Sequence, residues 1–120
     1  MSAPITRLET SARFSEAVVH NGVVYLAGQV PSPDALGDAR TQTRSVLSEI
    51  DRCLLLAGSD KTRLLSATVF LTTLDSYADM NAEWEAWLPS GCGPARATVG
   101  NVTLAKSEWL VEIVVTAALL

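Results

Sequence analysis

Apolar and polar positions alternate most clearly around Asn21-Gly22, where Ala17-Val18-Val19 and Val23-Val24-Tyr25-Leu26-Ala27-Gly28 form two β-rich runs. An Asn-Gly pair accepts positive φ at both central turn positions, so the pattern predicts a two-residue hairpin. Ile5 to Leu8 predicts a short strand ahead of it. Gln29 to Asp38, with two prolines, a glycine and two aspartates, predicts a loop. From Ala39 the period changes: Thr43, Val46, Leu47, Ile50, Cys53, Leu54 and Ala57 recur at steps of three and four, one stripe of a helix ending before Gly58. Leu64 to Thr72 returns to alternation, with Leu65, Ala67, Val69 and Leu71 expected on one face and Ser66, Thr68, Phe70 and Thr72 on the other. A second helix is expected to about Leu88, capped by Asp75 or Ser76, with Tyr77, Met80, Trp84, Trp87 and Leu88 on its inner side. Pro89 to Pro94 breaks that helix, and two further strands follow, Pro94 to Val99 and the segment from about Trp109.

The order strand, hairpin, helix, strand, helix, strand, strand describes a single α+β domain over residues 1–120 with one sheet. Two helices cover one sheet face. The other face is left half apolar, which predicts self-association with the sheets turned inward.

Two charges interrupt this pattern. Arg96 and Glu112 each sit alone in a strand that is otherwise apolar or small, and an unpaired buried charge is strongly penalised. Periodicity leaves two readings open. The pair is a salt bridge that fixes strand register or a subunit contact, or it lines one cavity, formed by neighbouring strands or across a subunit boundary. In the second case guanidinium donors match a carboxylate ligand, and a desolvated carboxyl is suited to proton transfer near neutral pH. His20, the one histidine, flanks the hairpin turn and reads as a surface residue rather than a catalytic group.

Composition narrows the classes. A chain of 120 residues with 48% hydrophobic content can bury a core of its own. Its net charge of −4 argues against nucleic acid, whose binding relies on Lys and Arg against phosphate. Cys53 lies on the helical stripe and reads as a packed thiol, while Cys92 lies in the Pro89–Pro94 loop without a basic neighbour to activate it. Neither cysteine has metal-ligand or CxxC spacing. With no apolar leader in Met1 to Glu9 and no run of roughly 20 apolar residues, a cytoplasmic protein without a membrane span is expected.

The segments Arg13-Phe14-Ser15-Glu16-Ala17-Val18, Tyr25-Leu26-Ala27-Gly28-Gln29-Val30, Ala67-Thr68-Val69-Phe70-Leu71, Met80-Asn81-Ala82-Glu83-Trp84, Pro94-Ala95-Arg96-Ala97-Thr98-Val99 and Val111-Glu112-Ile113 together resemble the Rid (reactive intermediate deaminase, or YjgF) family. The likeness runs over nearly the whole length, and the Pro-Ala-Arg strand followed by Val-Glu-Ile is its most specific part. It implies a chorismate-mutase-like α+β fold assembled as a homotrimer, with inward sheets forming a central barrel and three clefts between subunits.

The resemblance also implies hydrolysis of 2-imino or 2-enamino acids to 2-keto acids and ammonia, with no metal or organic cofactor. Arg96 then falls on the carboxylate-binding arginine and Glu112 on the glutamate that positions water. Gly28 falls on a glycine lining the cleft and Asn81 on an asparagine near it. Phe14 stands where many deaminases of the family carry tyrosine, Thr98 where many carry cysteine, and Arg13 where proline is usual. These departures imply a narrower or altered substrate choice. They also motivate the alternative of a trimeric protein that binds a small carboxylate or keto acid without turnover. Ribonuclease activity, reported for some relatives, fits poorly with the acidic composition.

Overall fold

The hairpin forms as the Asn-Gly pair dictates. In the computed structural model, which describes residues 3–120, Asn21 and Gly22 both take positive φ, 50° and 77°. This is the combination that lets two strands twist together across a two-residue turn. Strands β2 (Ser15–His20) and β3 (Val23–Leu26) pair with Ala17 opposite Leu26 and Val19 opposite Val24, turning these four toward the core side. Strand β1 (Thr6–Thr10) runs antiparallel to β2 and lies slightly later in the chain than its apolar residues suggest.

Helix α1 spans Ala39–Ala57, bounded by two caps. The Asp38 carboxylate accepts from the Thr41 N–H, and Gly58, at φ 91°, turns the chain so that Ser59 N–H reaches the Leu54 carbonyl. These contacts satisfy backbone groups that a helix end otherwise leaves unpaired. The expected stripe is buried: Thr43, Val46, Leu47, Ile50, Cys53 and Leu54.

Strand β4 (Leu64–Leu71) departs from the expected alternation at its start. A register irregularity between Leu64 and Ser66 turns Leu64 inward and leaves Leu65 47% exposed, while Ala67, Val69 and Leu71 point to the core as expected. A bulge inserts one residue and shifts the side-chain phase, which alternation alone cannot reveal. One 3-10 turn, Leu74–Ser76, precedes helix α2 (Tyr77–Trp87). The Thr73 hydroxyl caps that turn by accepting from Asp75 N–H, and Ser76 provides no side-chain cap, contrary to expectation. Met80 and Trp84 are buried and Trp87 packs beside them, but Tyr77 is 45% exposed and faces outward, not into the core.

Strands β5 (Ala95–Val99) and β6 (Val111–Ala118) complete one six-stranded sheet in the order β1-β2-β3-β6-β4-β5. Strand β5 runs parallel to β4, and all other pairs are antiparallel. The last strand occupies the centre, with Val111, Ile113, Val115 and Ala117 buried beneath the helices. Both helices cover that one face, so the expected α+β layering is present. The opposite face presents Val18, Tyr25, Thr68, Phe70, Val99, Glu112, Val114 and Thr116; no helix among the described residues covers it, and residues 102–105 border it at Phe70 and Glu112. Among the described residues, no helix is long and apolar enough to cross a membrane.

Candidate functional site

Strand register decides which sequence-predicted residues meet. Glu112 stands opposite Phe70, and Phe70 stands opposite Val99, so Glu112 belongs to the uncovered face. Arg96 stands opposite Ala67, which is buried on the helix face, so its side chain starts toward α2. The two charges therefore leave opposite faces of the sheet. Within one chain they share no cavity, contrary to the neighbouring-strand form of the expectation. They do not pair either: ion pairs among the described residues involve Arg40, Arg44 and Arg52, never Arg96 or Glu112. A register-fixing salt bridge between Arg96 and Glu112 is thereby excluded.

The six expected site residues fall into two groups. Glu112, Gly28 and Phe14 line one cleft of about 540 Å³, together with Gln29, Val30, Pro31, Pro33 and Trp109. Gln29 assembles this corner. Its backbone bonds in both directions with Ile113, at 2.8 and 3.0 Å, which extends the β3–β6 pairing past the end of β3. Its buried side-chain amide donates to the Glu16 carboxylate and the Ala27 carbonyl, each at 3.0 Å. Gly28 is thus pressed against the Glu112 carboxylate so closely that a methyl group there would overlap it. Partial burial pushes the Glu112 carboxyl above the ordinary carboxylate range, because desolvation penalises the ionised form. Phe14 sits at the lip, 54% exposed, in the turn that Ser11 closes by accepting from Arg13 and Phe14 N–H groups. Arg52 also borders the cleft, but its guanidinium is engaged by Glu9 and Glu49 at 2.6 to 3.0 Å.

Arg96, Asn81 and Thr98 form the second group, at the β5 edge. Arg96 Nη2 donates to Asn81 Oδ1 at 2.8 Å, Nη1 approaches Met80 Sδ at 3.8 Å, and the guanidinium carbon lies 5.3 Å from the Trp84 ring centre. An amide, a thioether and an indole face hold the cation without neutralising it. Two adjoining cavities of about 470 and 480 Å³ meet at Arg96 and Tyr77, and Thr98 lines the second of them. A guanidinium has five N–H donors. Most of those on Arg96 remain available to an anion entering from the edge of the sheet.

Trp109 in the first group and Tyr77 in the second were not expected at a site. Tyr77 lies four residues before Asn81, hence on the same helical face, which is the one sequence signal for it. Trp109 was expected to open the last strand, but that strand begins at Val111, so Trp109 lies just before it, three residues from Glu112, and carries no comparable signal.

Residues 4–119 match the family described as Endoribonuclease L-PSP. A RutC family protein of Haemophilus ducreyi is 46% identical, the alignment covering 96% of this chain and 97% of the relative. Among solved structures, a YjgF-family member from Neisseria meningitidis superposes with a TM-score of 0.93 at 44% identity, over 98% of this chain and 96% of that one. A protein of the conserved Rid family from Yersinia pestis superposes with a TM-score of 0.87 at 32% identity, over 97% of this chain and 100% of that one.

Proposed function

The chain belongs to the YjgF/Rid family, and from that membership we propose that it is a cytoplasmic homotrimer that hydrolyses 2-imino and 2-enamino acids to 2-keto acids and ammonia. The observation that carries the reading is Arg96: a partly buried guanidinium with no carboxylate partner among the described residues, held by Asn81 and Trp84 at the wall of an open cavity. That arrangement leaves the protein's own charge to be balanced by a ligand. The uncovered, half-apolar sheet face supports assembly, and assembly would bring the Arg96 edge of one copy against the Glu112 cleft of the next. In this reading Arg96 and Asn81 come from one subunit, and Gly28, Glu112 and Phe14 from its neighbour.

The reaction follows from that placement. Arg96 holds the substrate carboxylate in two parallel hydrogen bonds, fixing C2 of the imine toward Glu112. Glu112 accepts a proton from a water molecule whose oxygen attacks C2. Nitrogen takes that proton back from Glu112 to give the carbinolamine; its C2 hydroxyl then passes its own proton through Glu112 to nitrogen, the C–N bond breaks with its electron pair leaving on ammonia, and the C2 oxygen becomes the keto group. A carboxyl raised by desolvation is suited to both transfers. The Gly28 backbone closes the cleft beside the carboxylate, and Thr98 leaves room along β5 next to Arg96.

The alternative of a non-catalytic binder draws on Phe14, which keeps an aromatic wall but offers no hydroxyl to the substrate. A ribonuclease, the activity in the family description, finds no support in a net charge of −4. Coupling the protein to an amino-acid oxidase and following imine disappearance separates these readings. Turnover above spontaneous hydrolysis that is lost in Arg96→Ala, with the oligomer intact on size-exclusion light scattering, is the expected result. Imine decay no faster than the spontaneous rate leaves the binder. Wild-type turnover in Arg96→Ala removes Arg96 from the chemistry.

A further inference from the structure

Beyond the polar groups around Glu112, the same cleft is largely apolar, a property the reaction leaves unused. Phe14, Val30, Pro31, Pro33 and Trp109 line it. Trp109 is held there by a buried polar clamp on its backbone. Gln42, on α1 and only 1% exposed, donates to the Glu108 carbonyl at 3.0 Å and accepts from the Leu110 N–H at 2.7 Å, gripping the chain on both sides of the tryptophan. The Trp109 N–H itself closes a turn onto the Lys106 carbonyl at 3.2 Å. A buried amide that would be costly to leave unpaired is thus committed to fixing a half-buried indole beside Glu112. Apolar lining with few, fixed polar groups is the general form of a small-molecule side-chain pocket.

The charged residues that line the cleft are engaged or acidic. Glu16 accepts from Gln29, and Glu49 and Arg52 hold each other. Glu112 adds another carboxyl, so the lining itself is acidic on balance; Lys106, whose Nζ lies 5.5 Å from the Trp109 ring centre, is not among the lining residues.

Resting on the imine-hydrolase reading, we infer that Trp109, with Phe14, forms the pocket for the substrate's side chain and selects 2-imino acids whose side chain is large and apolar over small or acidic ones. Trp109 here is a specificity residue rather than a catalytic one.

Stable 2-keto acids test this without turnover. Titration calorimetry of the full-length protein with phenylpyruvate, pyruvate and 2-oxoglutarate should give phenylpyruvate at least about tenfold tighter than pyruvate, since even one methylene in an apolar pocket is worth that much. 2-Oxoglutarate should bind no tighter than pyruvate. Trp109→Ala should bring phenylpyruvate down to the pyruvate level, and Trp109→Phe, which keeps an aromatic wall, should hold most of the preference. Equal affinities in the wild type, no binding of any of the three, or a preference that survives in Trp109→Ala overturns the inference. Arg96→Ala separates the two levels: it should weaken all three acids alike. Unchanged binding there would remove the carboxylate clamp while the phenylpyruvate-to-pyruvate ratio still reports on Trp109.

Discussion

A single methyl group at Gly28 should uncouple activity from stability. The glycine does not occupy the left-handed region, so its backbone conformation accepts alanine, but the added Cβ would collide with the Glu112 carboxylate and its Cδ. The three nearest atoms it meets all belong to that one flexible side chain, not to backbone. Glu112 is therefore expected to rotate aside, at about 0.5–1.5 kcal/mol for an off-rotamer side chain. That is a shift of a few degrees in melting temperature for a domain of this size. Displacement of the carboxylate by an ångström or so should lower kcat/KM by about 100-fold. Denaturant melts and the oxidase-coupled imine assay on Gly28→Ala measure the two effects separately. Gly22→Ala is the opposite control: nothing lies within 4 Å of its Cβ, but its φ of 77° strains any L-residue. It should cost roughly 1 kcal/mol of stability and leave kcat unchanged. In a Glu112→Gln background, Gly28→Ala should cost little further activity, because the two changes act on one group. Full activity in Gly28→Ala, or an activity loss that only tracks the unfolded fraction, would refute the reasoning.

Two further outcomes follow from protonation. Burial raises the Glu112 carboxyl, so the folded state holds that proton more tightly than the unfolded chain does. Stability contributed at this site should then fall as pH rises from the ordinary carboxylate value through the raised one. Glu112→Gln should accordingly melt higher than the wild type at neutral pH, with the gain shrinking in acid; equal melting differences at both pH values would contradict the shift. Cys53 is buried in the core, and desolvation pushes its thiol up to about 11, whereas Cys92 is half-buried in a loop. A thiol reagent at neutral pH should label one cysteine of the native protein, Cys92, and both only after denaturation; rapid native labelling at Cys53 would show the core to be open.

The sequence carried the local part of this structure and lost the non-local part. Asn21-Gly22 and the Asp38 and Gly58 caps specify their elements from a few neighbouring residues, and the hairpin and α1 lie where those residues place them. Leu65 points outward because a bulge against β6 shifts the phase of β4, a property of pairing rather than of the strand's own composition. The same limit governs the site. Arg96 and Glu112 were each identifiable as misplaced charges, but the face each occupies depends on the register of β5 and β6 against β4, which no single-strand pattern contains. Gln42 and Gln29 show the limit from another side. Both are buried polar residues whose partners, Glu108, Leu110, Glu16 and Ile113, are distant in sequence.

That division of the charges makes the central claim testable by complementation. Arg96→Ala and Glu112→Gln proteins, each inactive alone, are unfolded together, refolded as mixed oligomers and assayed for imine hydrolysis. A site built across a subunit boundary takes its arginine from one copy and its glutamate from another, so random mixing should restore about a quarter of wild-type activity. No recovery in oligomers that have demonstrably exchanged subunits would contradict the account.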